Sequence, residues 1–231
     1  MIRIFHLGAN GKAFSRSGHA YEPCRLSGGA ETQMPQPLSQ RLRSATAPLH
    51  RQAEAALNFP ACVHDRASYV ATLVGFYGLY APLEQALSLQ RGWECLGLNL
   101  RERVHSSRLV RDLAILGSWP PPSIMASTVG WLTSFPQALG ALYVLEGSTL
   151  GGQVILRHLE ARSAEIPTDA TCFFSGHGAQ TGAMWKSMVE ALDCFGDRHP
   201  EAGHSVQEGT TLTYQAIIRR FTSPLHQSET S

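Results

Sequence analysis

Residues 134–159 read SFPQALGALYVLEGSTLGGQVILRHL, and this stretch decides the fold. It begins with Ser134, Pro136 and Gln137, a combination typical of a capping box with proline in the first helical turn. Apolar residues then recur at helical rather than strand spacing. The sequence therefore predicts a long helix that ends at about Leu159.

Three glycines interrupt this predicted helix, at Gly147, Gly151 and Gly152. A glycine inside a helix costs about 1 kcal/mol relative to alanine. Another interaction must therefore offset the loss of helix stability from all three glycines. Gly147 and Gly151 share one helix face, where a second helix or a flat ligand can approach, and Gly152 permits a bend. Close helix packing and a ligand-facing surface explain the pattern equally well.

A second helix is predicted from Leu38, because apolar residues recur there every three or four positions. This apolar stripe consists of Leu42, Ala45, Leu49, Ala53 and Leu57. Proline is tolerated only in the first turn of a helix. Either the helix kinks at Pro48, or a new helix starts there with Thr46 as its cap.

His50 and Glu54 lie on the same face of this helix, one turn apart. A carboxylate in that position can orient an imidazole and select the ring nitrogen that binds a metal. A half-buried histidine beside a surface glutamate has the same spacing. The spacing alone does not establish a metal site.

The rest of the chain also favours helices. Asp65 is a good N-cap for a helix that continues to Leu87, and another is predicted over about Leu98 to Leu116. Two later helical stretches carry Met184 to Phe195 and Val206 to Phe221. We find no alternating strand pattern, so we expect an all-α, single-domain bundle of about six helices over residues 38–223.

The two ends of the chain lack a sustained apolar period. Residues 1–37 are predicted to be a disordered extension, in which Met34 is a candidate start of translation, and residues 224–231 a tail. The beginning of the chain is a poor secretory signal. The five cysteines are scattered and form no CxxC pair, which argues against a disulfide framework or zinc site and favours the cytoplasm.

Composition narrows the possible partners. The formal net charge is +1, and no Lys/Arg cluster forms a stripe, so nucleic acid is not indicated. Hydrophobic residues make up 43% of the chain and charged residues 16%, which argues against general disorder. We also find no apolar run of roughly 20 residues, the length that a membrane span needs.

Two segments together resemble the heme oxygenase family. Residues 42–46 (LRSAT) and 49–54 (LHRQAE) look like the family's proximal helix, and residues 143–153 look like its glycine-rich distal helix. The likeness extends from about Leu38 to Phe221 and is strongest at these motifs. It implies an all-α fold, which agrees with the helices predicted above.

The resemblance also implies roles for individual residues. His50 is expected to bind the heme iron with Glu54 as its partner, and Gly147, Gly151 and Gly152 to bring backbone close to the other heme face. Tyr143 and Ser148 belong to the same distal segment. Animal members of the family carry an aspartate at the position of Ser148. The serine hydroxyl anchors water more weakly than a carboxylate does. Two basic residues, Arg43 and Lys186, are candidates for pairing with the heme propionates.

The implied reaction uses O2 and electrons to open heme to biliverdin, CO and free iron. Electrons are expected from a separate reductase or ferredoxin, because the chain has no flavin or nicotinamide motif. A phytochrome is a possible acceptor of biliverdin. Two alternatives stay open: a heme carrier or sensor without turnover, and an all-α enzyme that acts on another small molecule.

The other histidines and tyrosines give little support to a second site. The histidines at 64, 105, 158, 177, 199 and 204 form no HxxxH or HExxH pair and are expected to be surface or structural residues. Tyr69, Tyr77 and Tyr80 lie in an apolar stripe. They are expected in the core or in a pocket, with hydroxyl groups that need partners.

Overall fold

A computed structural model describes residues 36–120, 129–161 and 166–222. Within these ranges the chain forms α-helices and short 3₁₀ turns and no strand, so the predicted all-α fold is confirmed. The six α-helices are α1 (Leu38–Leu57), α2 (Arg66–Ser88), α3 (Ser106–Ile115), α4 (Phe135–Glu160), α5 (Thr181–Arg198) and α6 (Gly203–Thr222). The predicted extension and tail lie outside the described residues, except for residues 36 and 37.

Helix α6 organises the bundle, because both α1 and α4 pack against it. Helix α5 also contacts α1 and α4, while α2 packs mainly against α3. Two glycines allow α4 and α6 to meet backbone to backbone. A Cβ atom on Gly140 would overlap the carbonyl oxygen of Val206, and one on Gly209 would overlap that of Gln137.

Helix α1 runs through Pro48 without a break, so a new helix capped by Thr46 does not form. The hydroxyl of Thr46 donates to Leu42 O at 2.7 Å instead. The predicted apolar stripe was partly wrong, because Ala45 is exposed and Thr46 is buried in its place. The continuous helix fixes His50 in rotation relative to the residues that anchor α1 in the core.

The predicted starts of α2 and α4 are confirmed. Asp65 accepts from Ser68 N at 2.8 Å and forms a capping box. Ser134 and Gln137 form the second box, with proline in the first turn of α4. Both signals lie within four residues, so the sequence alone carries them.

The helix predicted over Leu98 to Leu116 is shorter than expected. Residues Leu100–Arg103 form a 3₁₀ turn, and α3 begins only at Ser106. The cause is a tertiary contact: Glu84 of α2 accepts hydrogen bonds from His105 N at 2.7 Å and Ser106 N at 3.1 Å. This carboxylate caps α3 from a neighbouring helix, where a local sequence pattern cannot reveal it.

Helix α4 is long and apolar enough to cross a membrane by composition, although no such span was expected from the sequence. Of its most apolar window, 72% is buried inside the protein. Burial against the other helices accounts for the apolar character of α4.

Candidate active site

His50 lies on α1 with its side chain only 16% exposed. Its Nδ1 atom is 3.9 Å from Glu54 Oε2, one turn further along the same helix. The imidazole also meets the ring of Tyr214 on α6 edge-on, with centroids 5.9 Å apart. The structure therefore places His50 and Glu54 together, as their spacing predicted.

Aromatic residues connect this part of α1 to α4. Tyr143 of α4 is buried, and its ring lies 5.2 Å from that of Trp185 on α5. Burial raises the pKa of Tyr143 to about 12, although the nearby charge of Arg43 acts in the opposite direction. Burial also raises the pKa of Tyr214, as do Tyr143 and Glu54 beside it. These residues thus surround one region between α1, α4, α5 and α6.

A small cavity lies along α4 and is called the α4 cavity here. Its lining includes Tyr80, His105, Ser148, Gly152, Phe173 and Phe174. Ser148 donates its proton to Leu145 O at 2.7 Å. Since a serine hydroxyl has one proton, Tyr80 donates to Ser148 Oγ, at 2.5 Å.

The loop beside this cavity is held by a buried carboxylate. Asp112 of α3 accepts from Cys172 N at 3.0 Å and from Phe173 N at 2.7 Å. These bonds hold Phe173 against the α4 cavity. Helix α3 thereby positions Phe173, one of the aromatic residues in the lining.

The glycines of α4 are all buried, and α4 stays helical through them. A Cβ on Gly152 would come within 3.0 Å of Phe174 O. Close packing against this loop therefore explains Gly152, which also lines the α4 cavity. Gly147 and Gly151 lie on the same buried segment, next to Ser148.

Four charged or titratable residues that no sequence pattern predicted to meet form a cluster next to this cavity. We call it the Glu146 cluster, formed by Arg103, His105, Glu146 and His177. Glu146 Oε2 accepts from Arg103 Nη1 at 2.6 Å, while Oε1 lies 3.3 Å from His177 Nε2 and 4.0 Å from His105 Nε2. The Glu146 side chain is 1% exposed.

The carboxylate of Glu146 is held in its charged form. Burial alone would raise the pKa of Glu146. The adjacent imidazoles of His105 and His177 and the charge of Arg103 outweigh burial and lower the pKa to about 2. A permanent negative charge therefore lies beside the α4 cavity.

The two candidate propionate partners are both on the surface. Arg43 is exposed on α1 but close enough to Tyr143 to affect its titration. Lys186 is 77% exposed, and its Nζ lies 3.6 Å from Glu190 Oε1. The structure thus brings Arg43 to the region between α1 and α4 and pairs Lys186 with a surface glutamate.

Comparison with known proteins relates this chain to one family. The heme oxygenase profile matches residues 36–123, which include His50 and Tyr80. The resemblance to the heme oxygenase family is confirmed. A search of curated proteins gives no match.

Solved structures show that this heme oxygenase-like chain has the heme oxygenase fold. Heme oxygenase 2 from Chlamydomonas reinhardtii, crystallised without heme, aligns with a TM-score of 0.68 at 16% identity, covering 81% of this chain and 97% of that one. The Neisseria meningitidis heme oxygenase, solved with NO and CO bound, aligns with a TM-score of 0.66 at 18% identity, covering 80% and 92%. Helix α1, with His50, lies in the segment that the family profile matches, whereas α4 lies outside it.

Proposed function

We propose that this protein is a heme oxygenase that binds heme between α1 and α4. It uses O2 and electrons from a separate reductase or ferredoxin to open the ring to biliverdin, CO and free iron. The observation that carries the proposal is the placement of His50: a largely buried imidazole paired with Glu54, on a segment that matches the family profile.

The residues between α1 and α4 fit a heme. A neutral imidazole is a common axial ligand of heme iron, and a carboxylate near its other nitrogen is the usual orienting partner. His50 and Glu54 supply this pair. Tyr143, Trp185 and Tyr214 supply large apolar surfaces beside it, as a flat macrocycle requires.

Each residue then has a definite task. His50 binds the iron, and Glu54 orients its ring. Bound heme supplies the iron that binds O2, while Gly147 and Gly151 leave room beside it and the Ser148–Tyr80 hydroxyl pair offers polar contacts in the α4 cavity. Arg43 and Lys186 remain the candidate partners of the propionates.

The partners of the reaction follow from its chemistry. The chain itself has no flavin or nicotinamide motif, so an electron-donor protein is needed. A phytochrome is a candidate acceptor of the product. A cytoplasmic location suits both partners.

The test is to add hemin to the purified protein, supply a reductant in air, and follow the visible spectrum. The wild type should show an imidazole-type heme spectrum, followed by loss of the Soret band and growth of biliverdin absorbance. His50→Ala should abolish or sharply slow this change, whereas the exposed His64→Gln should not. A stable heme spectrum without ring opening would indicate a carrier or sensor, and no heme spectrum would refute the proposal.

A further inference from the structure

His105 connects the α4 cavity to the Glu146 cluster. Its ring lines the cavity, yet its side chain is only 1% exposed. Neither ring nitrogen has a hydrogen-bond partner among the described residues. Burying an imidazole without hydrogen-bond partners costs free energy unless a bound ligand or water supplies the missing hydrogen bonds.

The position of this imidazole is fixed by the fold. The backbone N–H of His105 donates to Glu84 at 2.7 Å, which holds the residue at the start of α3. The ring of Tyr80 lies 6.2 Å away by centroid, and that of His177 lies 4.9 Å away. His105 therefore stands between the Tyr80 side of the cavity and His177.

The Glu146 carboxylate has two oxygens with different surroundings. Oε2 accepts a hydrogen bond from Arg103, which also donates to Ser187 Oγ at 2.7 Å. Oε1 faces both imidazoles, at 3.3 Å from His177 and 4.0 Å from His105. A fixed negative charge in this place stabilises a positive charge on either imidazole.

Five charged or titratable groups face His105 from the elements around it. They are Tyr80 and Glu84 on α2, Arg103 on the 3₁₀ turn, Glu146 on α4, and His177 on the following loop. Glu84 is engaged with backbone N–H groups, and Tyr80 donates its proton to Ser148. The imidazoles of His105 and His177 are thus the groups of this set with a ring nitrogen that can take up and give up a proton.

We propose that His105 delivers protons to the α4 cavity during the oxygenase reaction, and that His177 reprotonates it from the solvent side. Glu146 stabilises the protonated imidazole and stays ionised throughout. Each proton that leaves His105 for the cavity is replaced by one that His177 takes from solvent. Electrons come from the external donor and the oxidant is O2, so this proposal rests on the proposed function.

The location of His177 suits this role. Its side chain contacts Glu146, while the next three residues, Gly178 to Gln180, are exposed. The route from solvent to the cavity therefore needs only two imidazoles and the carboxylate between them. Ser148 contributes a hydroxyl group to the cavity, and His105 contributes an imidazole to the same lining.

The same three side chains, His105, Glu146 and His177, could also be read as ligands for a metal ion. Two features favour proton transfer. A divalent cation would bury two positive charges beside the Arg103 guanidinium, whereas a protonated imidazole adds only one. The 4.0 Å between His105 Nε2 and Glu146 Oε1 also exceeds the usual separation of adjacent metal ligands.

The experiment compares the wild type with His105→Gln, Glu146→Gln and His177→Gln, with the exposed His64→Gln as the matched control. Single-turnover ring opening is measured against pH with an excess of reductant. We expect hemin affinity to be unchanged and ring opening to slow at least about tenfold in His105→Gln, because a positioned acid typically contributes 10²-fold or more. Its rate should also lose the wild-type dependence on pH.

A second readout does not depend on turnover. The C–O stretch of the ferrous CO complex responds to a positive charge nearby. The wild type should show a second, lower-frequency band that grows as the pH falls. This band should be absent in His105→Gln and shifted in its pH midpoint in Glu146→Gln, and His64→Gln should resemble the wild type.

The outcomes separate the two proposals. If the wild type opens the ring but His105→Gln keeps its rate, pH profile and CO bands, the role of His105 is wrong and the proposed function stands. If the wild type does not bind hemin, or binds it without ring opening, both fall. If His105→Gln fails to fold, Glu146→Gln and His177→Gln decide, and wild-type behaviour in both refutes the proposal. Stoichiometric metal in the protein before hemin is added, lost in Glu146→Gln, would also overturn it.

Discussion

His50 and Glu146 lie on different helices and are held in different ways. His50 meets Glu54 within one helix, at 3.9 Å and with both side chains partly exposed. Glu146 meets Arg103, which is 43 residues away, at 2.6 Å and in near-complete burial. The His50–Glu54 pair forms wherever α1 is helical, whereas the Glu146–Arg103 pair forms only when the whole bundle is folded. Changes at the second pair should therefore affect stability far more.

The largest effect is expected for Glu146→Leu. It leaves the Arg103 guanidinium buried with its partner removed, which typically costs 3–5 kcal/mol, so we expect a loss of about that size. The free energy of unfolding from denaturant titration measures it. Glu190→Gln, at an exposed ion pair on α5, should change stability by less than about 1 kcal/mol. Equal effects in the two variants would show that Glu146 is not a structural anchor.

The same carboxylate predicts how stability depends on pH. Its pKa falls from 4.5 to about 2 on folding, so its contribution is complete above the unfolded value. That contribution is lost as the pH drops from about 4.5 towards 2, because the unfolded chain takes up the proton first. Between pH 4.5 and 2, the free energy of unfolding of Glu146→Gln should therefore fall less steeply than that of the wild type. An unchanged slope in this variant, followed by circular dichroism, would contradict the assignment.

The contact between α4 and α6 should show an intermediate effect. Gly140→Ala places a methyl group against Val206 O and should destabilise the protein by about 1–3 kcal/mol. The control is Gly182→Ala on α5, where a Cβ meets nothing within 4 Å. That control should be neutral or stabilising by up to about 1 kcal/mol, because alanine favours a helix. Thermal unfolding of both variants settles the comparison.

The smallest effect on stability is expected for Glu54→Gln. An ion pair within one helix and partly exposed contributes less than about 1 kcal/mol. Loss of a partner that orients a metal-binding histidine usually weakens metal affinity by 10–100-fold, so hemin dissociation should accelerate by about that factor. Glu160→Gln, exposed at the end of α4, is the control for both measurements. A large loss of stability in Glu54→Gln would remove the contrast with Glu146.

The same contrast explains how much the sequence could predict. The His50–Glu54 pair, the starts of α2 and α4, and the all-α class depend on residues within a few positions of each other. The Glu146 cluster could not be predicted, because His177 lies 31 residues from Glu146 and no spacing rule links them. Its one local signal was a glutamate inside a strongly apolar helix, which a buried charge pair explains.

Two further differences have the same origin. The delayed start of α3 depends on Glu84, which is 21 residues from His105. Gly152 was interpreted as a point where the helix bends, but its neighbour is the backbone of Phe174. In both cases a contact between distant segments outweighs a local preference.

The backbone contact between α4 and α6 also bears on how the protein opens locally. Two helices that touch through glycine have no layer of side chains that could rearrange to let them separate. Partial unfolding should therefore leave this pair intact, and the amide protons around Gly140 and Gly209 should exchange with solvent only when the whole domain unfolds. The glycines that cost helix propensity would then mark the most slowly exchanging part of the molecule.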